Sequence, residues 1–189
     1  PVDASCCVCM EEFYETDDTR GFKRGYSMQL LKGAMPTESF LTQCFMNKNF
    51  LGAPDILHSV RRMIRNKVSV AIICEDLPEE TNIIEMTNEK ARDGMPVPRV
   101  RYELSLNTKN MMAHGMQKAR ELLSVAGANN ITGFGPVKIA GWHLTGTTKM
   151  GANPKESVVG LSGQMHDIEN LHIIDGGVFP SAGGVNPAA

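Results

Sequence analysis

The segment that decides the fold class is NIIEMTNEKARDGMPVPRVRYELS, residues 82–105. Its two ends, residues 82–87 and 97–105, have the composition of extended strands, and the pair Asp93-Gly94 between them is typical of a turn. The segment therefore predicts a β-hairpin with a long turn. Charged and apolar residues alternate in the second arm, so we expect a solvated face with Arg99, Arg101 and Glu103 and a buried face with Val100, Tyr102 and Leu104.

The residues after this hairpin predict a long helix. Asn107 or Thr108 could cap its start, and Gly127 stands where a C-terminal cap is expected. Apolar residues between these points recur at spacings of three and four, which is typical of one buried helix face. This predicted apolar stripe consists of Met112, Met116, Ala119, Leu123 and Ala126.

The residues before the hairpin predict further elements of both kinds. A proline and an apolar stripe indicate a helix over residues 54–66, which also carries His58. The β-branched run Val68 to Glu75 predicts a buried strand, and Tyr26 to Leu31 predicts another. Residues 1–20 are acidic and are expected to be irregular. Short strands are also expected at residues 137–142 and 170–175, so the fold class is α+β, with a largely antiparallel sheet and flanking helices.

Length and charge narrow the possible classes of protein. The chain has 189 residues, enough for one domain or one and a half, and a net charge of −2, which gives no indication of binding to nucleic acid or to an anionic membrane. The longest apolar runs are too short to span a bilayer. Because the chain begins with proline and ends in NPAA after a glycine-rich turn, we expect a fragment of a longer protein.

Three of the five cysteines stand together at Cys6, Cys7 and Cys9. A zinc site would need a second pair of ligands at a suitable spacing, and no histidine lies nearby, so no metal site is predicted. Reduced thiols that pack as small hydrophobic groups are the favoured interpretation. They are consistent with a cytoplasmic protein, and the expected absence of the true N-terminus leaves a periplasmic location open.

Two glycine-rich clusters near the C-terminus carry the candidate chemistry. The first is GWHLTGTTKMG, residues 141–151, in which His143 lies among glycines and threonines that would let the backbone approach a flat ligand closely. A histidine there can take up or release a proton near neutral pH. The second runs from Asp175-Gly176 to Asn186-Pro187, where asparagine followed by proline is typical of a helix start.

Together, in this order and about 30 residues apart, these clusters resemble the C-terminal signature of the glucose–methanol–choline (GMC) flavoprotein oxidoreductases. The matching positions are His143, Gly146, Thr147, Met150 and Gly151, followed by Val158-Val159, Asn170-Leu171, Asp175-Gly176, Pro180 and Asn186-Pro187. Gly160 stands where family members often have aspartate. The resemblance implies a substrate-binding domain in residues 1–140 and a flavin-contacting segment in residues 141–189, which completes an FAD-binding domain whose N-terminal dinucleotide-binding part is missing from this chain.

The resemblance also implies the roles of individual residues. His143 would accept the proton of a substrate alcohol or sugar while hydride passes to flavin N5, and Asn186 would donate a hydrogen bond to the developing alkoxide. FAD would be contacted by Trp142, His143, Asp175, Gly176, Asn186, Pro187 and Ala188. The electron acceptor could be oxygen, a quinone or a cytochrome. The alternative is a naturally truncated, non-catalytic module of the same fold that acts in binding or assembly.

Overall fold

The computed structural model describes residues 6–32, 67–137 and 143–185. In chain order the elements are β1 (Cys6–Met10), β2 (Tyr26–Lys32), β3 (Val68–Cys74), β4 (Ile83–Lys90), β5 (Pro96–Arg101) and α1 (Leu106–Val125). Strands β1, β2 and β3 form one antiparallel sheet with β2 in the centre, and β4 pairs with β5 in a separate antiparallel hairpin. Helix α1 packs against β2 and β3. In the described residues this arrangement is compatible with the predicted α+β class.

Strands β2 and β3 form as predicted, with an unbroken register from Tyr26 opposite Cys74 to Lys32 opposite Val68. The predicted burial of β3 is wrong, because Val68 is exposed and the other residues of the strand are half-buried. The expectation that residues 1–20 are irregular is wrong for Cys6–Met10, which forms β1. This short segment has few strand signals of its own, and its backbone is ordered by pairing with β2, where the register shifts between Cys6 and Val8. Tertiary pairing therefore decides its structure.

The core lies between the three-stranded sheet and α1. Tyr26 and Met111 are fully buried there, together with Phe22, Met28 and Ala119. The Tyr26 hydroxyl and the Nδ1 atom of His114 share a hydrogen bond of 2.8 Å, so the one polar atom of the tyrosine ring is satisfied. The ring of Phe13 stacks on Tyr26 at a centroid distance of 5.3 Å. Aromatic rings from the loop before β2 and from Tyr26 therefore meet His114 of the helix, and Met28, Val70 and Ile72 of the strands complete the core.

The start of α1 differs from its prediction. Ser105 is the N-cap, because its hydroxyl accepts a hydrogen bond from the Thr108 amide at 3.2 Å. Neither residue that was expected to cap the helix does so. The Asn107 side chain instead bonds the backbone of Lys23, and the Thr108 hydroxyl donates to Asp76 at 2.7 Å. Both expected caps are thus used to tie the helix to distant parts of the chain.

The C-terminal cap of α1 is confirmed. Gly127 has a positive φ of 79°, and its amide donates to Ser124 O while the Ala128 amide donates to Leu123 O. This is the Schellman arrangement, which favours glycine because the left-handed conformation is strained for residues with a β-carbon.

The buried face of α1 is rotated relative to the predicted stripe. The fully buried positions are Thr108, Met111, Gly115 and Ala119, whereas Ala126 is exposed and Met112, Met116 and Leu123 are half-buried. Gly115 explains the rotation, because a β-carbon there would lie only 2.8 Å from Ile72 Cγ2 and 3.3 Å from the Tyr26 ring. The helix lies close to the sheet at Gly115, where it has no side chain. The spacing of apolar residues in the sequence does not indicate this contact, because glycine is not part of an apolar stripe.

The hairpin is confirmed, but its predicted buried face is not buried. Gly94 has a positive φ of 81° in the turn. Val100 is 70% exposed and Tyr102 is 56% exposed, while Leu104 is half-buried. On the same face, Ile84 pairs with Val100 and is also exposed. The alternation correctly separated an apolar face from a charged one, but no other described element packs on the apolar face.

Three further predictions concern other parts of the chain. The helix over residues 54–66 and most of the strand over 137–142 lie outside the described residues. The strand expected at residues 170–175 does not form, since only His172 pairs, in an isolated bridge with Gln164. The Ile173 amide donates to Gly163 O instead of joining a continuous ladder. No helix in the described ranges is long and apolar enough to cross a membrane.

Replacing Gly115 with valine is expected to destabilise the fold by about 1–3 kcal/mol, because the new side chain must displace Ile72 and the Tyr26 ring in a packed core. The matched control is Ala113→Val, at an exposed position of the same helix, which changes only helix propensity. Urea denaturation of both variants measures the difference. Equal losses of stability would contradict the close packing at Gly115.

Acidification is expected to weaken the fold through His114. Burial lowers the pKa of His114 below its ordinary value, and the charges of Lys118 and Arg20 act in the same direction. The unfolded chain, with a histidine pKa of about 6.5, therefore takes up a proton at a higher pH than the folded chain does. This contribution to stability is present above about pH 6.5 and is lost as the pH falls through the lower folded pKa.

The measurement is urea denaturation at pH 7.5 and pH 5 in the parent protein and in His114→Gln. The variant should lose less stability on acidification, because the titrating group is gone. If parent and variant lose the same amount, His114 is not the group responsible.

Candidate functional site

The two glycine-rich clusters, some 30 residues apart in the sequence, lie side by side in the structure. The Gly146 amide donates to Gly176 O at 3.3 Å, the Thr148 amide donates to Gly177 O at 2.9 Å, and the Met150 amide donates to Val178 O at 2.8 Å. Alternate residues of the first segment thus bond successive residues of a short 3₁₀ helix, Gly176–Val178. Gly146 has a φ of 84°, which only glycine adopts readily, and it starts this row of bonds.

Asp175 organises the turn in the second segment. Its Oδ1 atom accepts a hydrogen bond from the Gly177 amide at 2.7 Å and so caps the 3₁₀ helix. Gly177 has no room for a side chain, because a β-carbon would lie 2.5 Å from Thr148 Oγ1, 2.8 Å from Asp175 Oδ1 and 3.0 Å from Thr147 Oγ1. Three side-chain oxygens therefore converge on one glycine. The close approach of the two segments depends on the absence of a β-carbon at residue 177.

Thr148 contributes a polar atom that the described structure leaves unused. Its Oγ1 atom is buried and has no hydrogen-bond partner in the part of the chain that is described. Buried hydroxyl groups are normally hydrogen-bonded, so an unpaired one indicates a partner outside the described atoms. Sequence reasoning missed Thr148 and Gly177. The only signals for them were the second glycine after Asp175 and the threonine pair that follows Gly146.

Residues 150–173, referred to below as the platform, are held together by short bridges and side-chain bonds. Met150 and Met165 each form a bridge with Val159, which is fully buried. Ser157 Oγ lies 2.7 Å from Asn153 O and 2.9 Å from His166 Nε2. A hydroxyl that donates to the carbonyl can accept from the imidazole, so His166 fastens a loop. The platform fixes the base from which the first segment runs back towards His143.

The site residues that were predicted from the sequence divide into two groups. His143 is exposed at the start of the first segment, and Asp175 and Gly176 lie in the second, whose backbone bonds the first segment from Gly146 onward. Trp142, Asn186, Pro187 and Ala188 lie outside the described residues. Leu144, next to His143, is 80% exposed. The described part of the site is therefore an open surface that carries one imidazole, one carboxylate and a glycine-lined backbone.

Comparison with known proteins agrees with this arrangement of motifs. Residues 78–189 match the family model described as GMC oxidoreductase. The chain is 31% identical over 182 residues to a 2-methyl-1,2-propanediol dehydrogenase of Mycolicibacterium austroafricanum. The aligned region covers 94% of this chain and 32% of that protein. This match extends well upstream of residue 78, where the family model begins.

Two other relatives match a shorter part. The 6'''-hydroxyparomomycin C oxidase of Streptomyces lividus is 30% identical over 64% of this chain and 22% of its own length. The fructose dehydrogenase large subunit of Gluconobacter japonicus is 28% identical over 67% of this chain and 23% of its own length. The chain thus spans between about a fifth and a third of the length of these relatives. With more than half of its residues matched by the family model, the chain belongs to the GMC oxidoreductase family.

Proposed function

We propose that this chain is the C-terminal portion of an FAD-dependent oxidoreductase that acts on the CH–OH group of an alcohol or sugar. The observation that carries the proposal is the row of three backbone hydrogen bonds between the His143 segment and the Asp175 segment. It brings together the two parts of the family signature that would face one ligand. The names of the relatives include a diol dehydrogenase and a fructose dehydrogenase, which favours an enzyme over a non-catalytic module.

The described residues fit one part of an FAD site. Gly177 lets the two segments pack closely, and Thr148 offers a buried hydroxyl without a partner in the described chain. Leu161 and Ile174, which line one cavity with Asp175, are 76% and 89% exposed, and Leu144, next to His143, is 80% exposed. Exposed apolar groups this close to a polar cluster are typical of a surface that another part of the protein covers. We propose that the dinucleotide-binding portion of the whole protein covers it and supplies the rest of the FAD site.

His143 is proposed as the base. An imidazole nitrogen would accept the proton of the substrate hydroxyl, which makes loss of hydride from the adjacent carbon easier. When bound, FAD supplies the acceptor for that hydride. The Nδ2 group of Asn186 would donate a hydrogen bond to the oxygen as negative charge develops on it, but an amide cannot take the proton. Only one of the two residues can therefore act as a base.

The substrate and the electron acceptor are proposed only as classes. The substrate is a primary or secondary alcohol, and polyols and sugars are the first to test because a diol and a sugar appear in the names of relatives. Those names include both dehydrogenases and oxidases, so oxygen, a quinone and a cytochrome all remain candidates for the acceptor. The test is to supply each acceptor to the full-length protein with a panel of polyols.

In the full-length protein, His143→Ala is expected to lower the rate constant of flavin reduction by about 10²–10⁴-fold, the usual range for loss of a general base. The flavin absorbance of the purified variant should remain, because the proposed role of His143 is proton transfer. The matched control is His172→Ala, since His172 is also exposed and pairs through its backbone in the bridge to Gln164. A His143→Ala variant that keeps most of the rate would show that another group is the base.

Gly177→Ala is expected to destabilise the C-terminal segment by about 1–3 kcal/mol, because the methyl group would collide with Thr148 and Asp175. The matched control is Gly160→Ala, where the nearest atom to a new β-carbon is 3.7 Å away. Thermal unfolding and the ratio of flavin to protein in each purified variant measure the effect. A Gly177→Ala protein with the parental melting temperature and flavin content would contradict the packing described here.

A further inference from the structure

The pair Gly183-Gly184 lies against the start of strand β2. The hydroxyl of Ser27, a fully buried residue, donates a hydrogen bond to the carbonyl oxygen of Gly184 at 2.6 Å. A β-carbon on Gly184 would lie 3.2 Å from Gly25 O, 3.3 Å from Tyr14 Cε2 and 3.3 Å from Tyr26 Cα. The backbone of residue 184 therefore sits directly on the strand, with almost no space between them.

The hydrogen bond from Ser27 is well suited to holding this backbone in place. It joins residues 157 positions apart in the sequence, and its length is at the short end for a hydroxyl donor. Gly184 is itself buried, so water cannot readily replace the serine. Removing the hydroxyl would leave the buried carbonyl of Gly184 without this donor. Because an unpaired buried acceptor is costly in free energy, the backbone around Gly184 is then expected to shift or open.

The docked backbone is close to Asn186 along the chain. Consecutive α-carbons are about 3.8 Å apart, so the α-carbon of Asn186 can be at most about 7.6 Å from that of Gly184. Only two peptide units separate Asn186 from Gly184 in the chain, so we expect a displacement at Gly184 to reach Asn186. Misplacing a catalytic group by about 1 Å can cost a large factor in rate.

We propose that Ser27 is a positioning residue, which holds the segment that leads to Asn186 against strand β2 and so places the amide of Asn186 for its task. The inference rests on the proposed function for the role of Asn186. The docking of the segment by Ser27 does not depend on that role. Two experiments on the full-length flavoprotein separate the two statements.

The first experiment measures hydrogen exchange in Ser27→Ala. Amide exchange in residues 183–189 should become at least about fivefold faster, whereas exchange in helix α1 should stay unchanged, because only the local anchor is lost. The matched control is Thr87→Val, which removes a hydroxyl-to-carbonyl bond of 2.8 Å to Val97 in the hairpin. Gly184→Ala should accelerate the same amides by steric displacement. Unchanged exchange in Ser27→Ala would overturn the proposal.

The second experiment is a double-mutant cycle on the rate constant of flavin reduction. Asn186→Ala should lower this constant by about 10²-fold, in the range for loss of one donor to a developing oxyanion. Ser27→Ala should lower it by about tenfold with little change in KM, because the interaction it supports is made in the transition state. In a protein that already carries Asn186→Ala, Ser27→Ala should lower the rate constant by less than about twofold, because the amide that Ser27 would position is absent.

A tenfold loss that persists in the Asn186→Ala background would overturn the proposal, because Ser27 would then act through another group. If Asn186→Ala keeps the full rate, the assigned role of Asn186 is wrong and placing its amide has no effect on the reaction. Ser27 is then judged by hydrogen exchange alone, as the anchor of the segment.

Discussion

The side chain of Tyr26 has no exposure to solvent, and three distant parts of the chain are arranged around it. Helix α1 reaches it through the hydrogen bond that its hydroxyl shares with Nδ1 of His114 and through the bare backbone of Gly115. The N-terminal turn reaches it through the ring of Phe13, and the C-terminal segment reaches its α-carbon at Gly184. A smaller residue at position 26 would therefore loosen the contacts of the helix and of the N-terminal turn at once, because both are made with the ring, whereas Gly184 contacts the backbone.

The elements with strong local patterns were predicted well. Strand β3 and the hairpin were recognised because a β-branched run and an Asp-Gly turn are properties of neighbouring residues. The predictions were wrong where distant contacts decide the outcome. Strand β1 is ordered by its partner, Asn107 and Thr108 bond remote groups instead of capping the helix, and the buried face of α1 turns towards Gly115.

The site shows the same division between local pattern and tertiary contact. The order and spacing of the motifs were enough to name the family, and the family match over residues 78–189 confirmed it. The lateral hydrogen bonds between the two segments could not be read from the spacing, because residues 170–175 were expected to continue as a strand and do not. The unpaired hydroxyl of Thr148 and the anchoring bond of Ser27 likewise depend on which atoms meet in three dimensions.

The hairpin β4–β5 has a practical consequence for work on this segment by itself. Its apolar face carries Ile84, Met86 and Val100, which are 52%, 60% and 70% exposed, and in the described chain both of its strands have an unpaired outer edge. Open strand edges beside exposed apolar side chains are templates for strand addition from another molecule. A net charge of −2 provides little repulsion against such association. We therefore expect the separate polypeptide to self-associate in concentrated solution through the β4–β5 hairpin.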